Sequence, residues 1–291
     1  MRTVLTLALL LLAAMPALPV QTQRVTEQQK SEAKKELDGG GDAFKQGRYA
    51  DAQLHFERAR ALDPTQTLTA FLIAGAIASQ YKPGVGSPEN VAKAREAIAA
   101  YQRFLELEPP NDVAYDAVTY LLRLLKDEEQ GRLWVLRRAT DAGLPAGKRA
   151  EAYLDIAGDE WLCAYSITAL SENKRTVMRG GQSVVERIRP RDRGEYDKSV
   201  RCAERGLEFV EQAIGLDPDS DRAWAHKTNL LFEMMKLAEM DGDWERSDSY
   251  ERRAAEARRI WQELDERNRK RREAEEEKMT QEGEGRPDPP K

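Results

Sequence analysis

Histidine and cysteine are scarce: two of each occur in 291 residues. His55 and His226 form no spacing motif with each other or with a cysteine, so each reads as a surface or packing residue of a helix. A zinc site, which needs three or four ligands at usable spacing, is disfavoured. G-x-S-x-G, Walker-type and H-E-x-x-H motifs are missing as well. Gly39-Gly40-Gly41 follows no strand, which argues against a phosphate loop. No catalytic residue, metal or cofactor is assigned, and an enzyme is the third and least favoured reading. A basic excess is also missing: the net charge is −5, whereas a nucleic-acid-binding body normally carries cationic surplus to neutralise phosphates. Nucleic acid is therefore not an expected partner.

Long apolar runs are lacking except at the start. Met1-Arg2 followed by Val4–Ala14, interrupted only by Thr6, makes a short positive region and an apolar core of export-signal type. Pro16 and Pro19 interrupt the stretch, and no clean small-residue cleavage site precedes Gln21. Residues 1–22 are read as a signal peptide or an uncleaved anchor, either of which puts the body outside the cytoplasm, periplasmic or secreted. Membrane contact is expected only through that segment, if it is uncleaved.

Proline is sparse and sits mostly between helical patterns, while Ala, Leu, Glu, Lys and Arg fill the rest, so an all-α fold is predicted. The sharpest pattern is Gly47-Arg48-Tyr49, then Ala52, Phe56 and Ala59 at spacings of four and three, ending at Asp63-Pro64. That spacing puts the three side chains on one helix face, where small alanines admit a close neighbour. Ala97, Tyr101, Phe104, Leu107 and Pro109 repeat it, preceded by Phe71, Ala74, Gly75 and Ala78.

These residues resemble the tetratricopeptide repeat, whose second helix opens on a Gly-x-Tyr turn and carries Ala, an aromatic, Ala and a terminal Pro. The resemblance implies a helical solenoid of about five helix pairs over residues 23–266. Its clearest repeats are 32–64 and 69–109, and degenerate pairs follow at 111–145, 148–218 and 221–266. Tyr115 and Trp224, each six residues after a proline, keep the beat. Pro64, Pro109, Pro145 and Pro218 lie 45, 36 and 73 residues apart, so segments are inserted at Tyr81–Pro88 and 174–194. Residues 267–291 read as a charged tail, frayed or disordered, because they offer no apolar stripe.

In this family the first helices line a concave groove that holds a partner peptide. Transferred by repeat position, the groove candidates are Phe44, Leu72, Tyr120, Arg123, Arg222, Asn229 and Phe232. Leu37 and Gly41 stand where the family's carboxylate clamp would need Lys and Asn, so that clamp is rejected. The inserted basic segment, with Arg175, Arg179, Arg187, Arg189, Arg191 and Arg193, reads as a solvated loop or as a dock for an acidic protein, an anionic lipid or a glycan. Cys163 and Cys202 fall at nearly the same height on the two arms of one predicted hairpin, which leaves a disulfide or two buried thiols open. The expected function is an extracytoplasmic scaffold or adaptor that binds a protein or peptide through the groove and the inserted loops. The alternative is a membrane-tethered structural component of an envelope assembly.

Overall fold

The computed structural model describes residues 25–284, and the predicted signal segment lies outside them. Ten α-helices and one two-stranded hairpin are found among the described residues. The chain divides into two compact units, with the break after Ala76, inside a helix.

In the first unit, α1 (Glu27–Lys45) and α2 (Tyr49–Leu62) form an antiparallel hairpin. A capping box starts α1: the Gln29 amide N–H donates to Thr26 Oγ1, and the Thr26 N–H donates to Gln29 Oε1 at 2.9 Å. Gly47 turns the chain with φ +75°, a left-handed conformation that disfavours side-chain-bearing residues. Ala52, Phe56 and Ala59 are all buried, on the face that their spacing predicts. Across the hairpin His55 Nδ1 lies 2.7 Å from Glu36 Oε2. The third helix, α3 (Thr67–Ala78), begins in this unit.

The second unit holds α4 (Pro88–Leu107), α5 (Asp112–Leu124), α6 (Glu128–Thr140), α7 (Ala146–Thr168), α8 (Arg193–Leu216), α9 (Asp221–Asp241) and α10 (Trp244–Glu284). Side-chain caps punctuate it: Ser87, Asn111, Asp127, Asp192 and Ser220 each accept a backbone N–H from the first turn that follows. The first insertion is pinned by Asn90, whose amide donates to the Lys82 and Val85 carbonyls and accepts from the Lys82 N–H.

The core joins α6, α7, α8 and α9 through Ala139, Ala152, Ala157, Val210, Ala213 and Leu230. Gly206 lies so near Leu230 that a Cβ there would come within 2.5 Å of its Cδ2. α7 packs on both α8 and α9, and the Thr168 hydroxyl donates to the buried Glu233 carboxylate, fixing the end of α7 against α9.

In secondary structure the chain departs from the sequence reading in two places. The second insertion is not an irregular loop: β1 (Lys174–Arg179) and β2 (Gln182–Arg187) pair antiparallel, after a 3-10 turn at Ser171–Asn173. Gly180 and Gly181, both at positive φ, form the two-residue turn that such strands favour. The tail expected to fray from 267 continues as helix α10 to Glu284. Its base is docked, since buried Asn268 donates to the Asp219 carbonyl and to Asp221 at 3.2 Å, and Arg267 pairs with Asp219. Beyond it, Lys270–Glu266 and Arg269–Glu273 pairs support the helix one turn apart.

Candidate protein-binding groove

In the second unit the first helix of each pair is α5, α7 or α9. At about 100° per residue, Asp112, Asp116 and Arg123 fall on one face of α5, Glu151, Asp155, Asp159 and Leu162 on one face of α7, and Arg222, His226 and Asn229 on one face of α9. Asp112, Tyr115, Asp116, Arg138, Glu151, Asp155 and Arg222 line a common cavity of about 320 Å³ that links the three helices.

One wall is built around an ion-paired carboxylate. Arg138, buried beneath the cavity, donates to Asp112 and lies 4.0 Å over the Tyr115 ring, and Lys148 donates to the same carboxylate. These two cations hold the Asp112 carboxyl below the usual range, with the Lys148 hydrogen bond contributing most. Tyr115 also stacks on Trp134 at 5.4 Å. Burial, reinforced by the Asp155 charge, pushes the Tyr115 phenol up to about 12. Among the described residues its buried hydroxyl finds no hydrogen-bond partner.

Farther along α7, Asp155 and Asp159 have no such ion pairs among the described residues. Asp155 and Asp159 are open to solvent, yet lost hydration raises both carboxyls above their ordinary value, against the opposing charges of Arg222 on the first and of Arg123 and Arg132 on the second. His226 sits beside Gly158, where a Cβ would come 3.3 Å from its Cε1. Burial first, and the Arg222 charge second, lower the His226 pKa.

The candidates named from repeat position divide. Arg123, Arg222 and Asn229 lie exposed on the α5 and α9 faces, and Tyr120 flanks Arg123 with 56% exposure. Phe232 does not belong with them. Ten positions beyond Arg222, it is turned roughly 80° away on α9, packs toward α10 beside Leu231 and Ala254, and lies under Arg258. Phe44 and Leu72 are in the first unit, where Phe44 stacks edge-on against Tyr49 over the α1–α2 turn. The acidic residues were overlooked, although Glu151, Asp155 and Asp159 recur every fourth residue of α7 and so mark one helix face.

Most of the basic insertion is paired within the unit. Arg175 and Arg179 share Glu186 at 2.8 and 2.5 Å, Arg187 bonds Glu239, Arg189 bonds Asp241 at 2.7 Å, and Arg193 lies 3.8 Å from Asp197, while Arg191 is exposed. Cys163 and Cys202 are joined as a disulfide between α7 and α8, with Cα atoms 6.0 Å apart. Beside it, buried Glu160 accepts from Arg132 of α6 and Arg205 of α8 at 2.7 and 2.9 Å.

No family model and no curated protein matches the sequence. Among solved structures the chain is similar to a MamA fragment from Desulfovibrio magneticus RS-1, at 14% identity over 81% of this chain and 98% of that one, with a TM-score of 0.33. A tetratricopeptide repeat protein from Parabacteroides merdae ATCC 43184 is similar at 14% identity over 80% and 97%, with the same TM-score. Pseudomonas aeruginosa pilF is similar at 11% over 83% and 100%, again at 0.33. Likeness this distant transfers no partner and no activity. By its own Gly-x-Tyr turn, its Ala/Phe/Ala helix face and its succession of paired helices, the chain has the tetratricopeptide-repeat fold.

Proposed function

We propose that this chain is an extracytoplasmic scaffold that binds a segment of another protein along the first-helix face of α5, α7 and α9. One observation carries the reading: Asp155 and Asp159 stand exposed one turn apart on the α7 face and, among the described residues, make no ion pair. A partner that brings hydrogen-bond donors to this face gives the two carboxylates the partners they lack, while Tyr120, Arg123, Arg222 and Asn229 supply the mixed aromatic and polar contacts common at interfaces. The role is binding by position, without chemistry.

Export is supported by the apolar run from Val4 to Ala14 and by the Cys163–Cys202 disulfide, which persists in oxidising compartments. Among the described residues no helix is long and apolar enough to cross a membrane. Intact-mass measurement of the exported protein is expected to show residues 1 to about 22 removed, and a retained Met1 favours the tethered alternative.

The binding assignment is tested with a photo-reactive amino acid placed at Arg123, Asp159 or Asn229, and at Glu208 of α8 as a control. The first three positions are expected to capture one discrete protein adduct that the control does not. Equal capture from Glu208 removes the assignment to this face.

A further inference from the structure

The β-hairpin inserted between α7 and α8 carries an open edge. The Ile188 N–H donates to the Asn173 carbonyl at 2.9 Å, on the same register line as the strands. Antiparallel pairs alternate between bonded and non-bonded, so 175/186, 177/184 and 179/182 are the bonded pairs. The backbone N–H and C=O of Thr176 and Met178 therefore point away from β2. Among the described residues no third strand takes them.

The surroundings make this edge presentable. At its base the hairpin is anchored by the Asn173 amide on the Ile167 carbonyl, by Lys174 on the Ala169 carbonyl and by Arg187 on Glu239, with the Cys163–Cys202 bridge joining the flanking helices. Beyond the anchor, Met178 is 68% and Val185 58% exposed, on the same face as Thr176. A two-stranded ribbon with an apolar face is marginal alone, and a third strand is what stabilises it. β1 contributes Lys174, Arg175 and Arg179 and no acid; Glu186 across the ladder answers two of the three.

We infer that β1 is an acceptor edge for an extended, acidic segment of a partner protein, which adds as a third strand beside Thr176 and Met178. A second copy of this chain is the wrong occupant, because pairing β1 with itself brings six cations together against only the two Glu186 carboxylates of the neighbouring strands. The segment that fits is about six residues long, with Asp or Glu near both ends to meet the basic residues and β-branched residues between them to cover Met178 and Val185. This inference rests on the reading of the chain as a protein-binding scaffold, but it uses a surface other than the helix face.

The test uses the full-length oxidised protein and two synthetic hexapeptides of alternating valine with glutamate or with lysine, followed by backbone amide NMR and hydrogen exchange. The glutamate peptide is expected to slow exchange at Thr176 and Met178, and the lysine peptide to leave them unchanged. Thr176→Pro removes an outward N–H without touching the internal ladder, and is expected to weaken the glutamate peptide about tenfold. If that variant loses the hairpin, the pair Arg175→Glu and Arg179→Glu replaces it and is expected to reverse the preference toward the lysine peptide. Equal response to both peptides, shifts without amide protection, or the same protection from phosphatidylglycerol vesicles in place of the peptide overturns the inference. Should the hairpin fail while cross-links from Arg123 and Asp159 succeed, the edge is wrong and the scaffold reading stands.

Discussion

Gly40 on α1 lies directly beneath the Phe56 ring of α2: a Cβ at position 40 would sit 2.4 Å from Cε1. Phe56 is 2% exposed and has no room to swing aside. Gly40→Ala gains up to about 1 kcal/mol of helix propensity, but overpacking costs about 1–3 kcal/mol, so the clash wins. Chemical denaturation is expected to show a net loss of stability. Gly41→Ala is the control, since a Cβ there meets nothing within 4 Å.

The Cys163–Cys202 bridge closes a loop with a sequence separation of 39. In the chain-entropy account it stabilises the second unit by about 3–4 kcal/mol. Cys163→Ser with Cys202→Ser is expected to lower the denaturation midpoint, and reductant to destabilise the parent protein toward the same value. Thiol labelling of the denatured, unreduced protein is expected to find no free cysteine.

Asp155 and Asp159 carry carboxyl pKa values raised in the folded state, mainly by lost hydration. At these two positions the folded protein therefore holds protons that the unfolded chain releases, so their contribution to stability falls as pH rises from the ordinary value of 3.8 through the raised one, opposite in sign to that of carboxyls such as Asp112 and Glu186 whose pKa is lowered. Asp155→Asn is expected to flatten that fall and to raise the melting temperature at pH 7, while weakening partner binding. Thermal melts from pH 3.5 to 7 check the sign, and a slope unchanged by the substitution contradicts the assigned cause.

Tyr120 and Phe232 separate surface from packing. Tyr120→Ala is expected to change stability by no more than about 0.5 kcal/mol. Phe232→Ala removes part of the α9–α10 contact and is expected to cost about 1–3 kcal/mol. Urea midpoints of the two variants decide it.

Helix pairing was legible because Ala52, Phe56 and Ala59, the Gly47 turn and the terminal prolines punctuate the chain locally. The hairpin was legible too, since Arg179-Gly180-Gly181-Gln182 stands between β-branched runs, but the arginine charges drew the reading toward a solvated loop. Phe232 was misplaced because repeat position fixes a residue's height along α9 and not its angle about it. The continuation of α10 depends on Asn268 reaching the α8–α9 turn, a contact 49 positions away in sequence that no local pattern announces.

The central claim is that the face formed by α5, α7 and α9 holds a protein partner. Its most direct measurement is the affinity of the cross-linked partner, once identified and purified, for the parent protein and for the variant carrying Arg123→Ala with Asp159→Ala. The account predicts at least about tenfold weaker binding, the equivalent of 1.4 kcal/mol, with the melting temperature maintained. Equal affinity with the fold intact contradicts it.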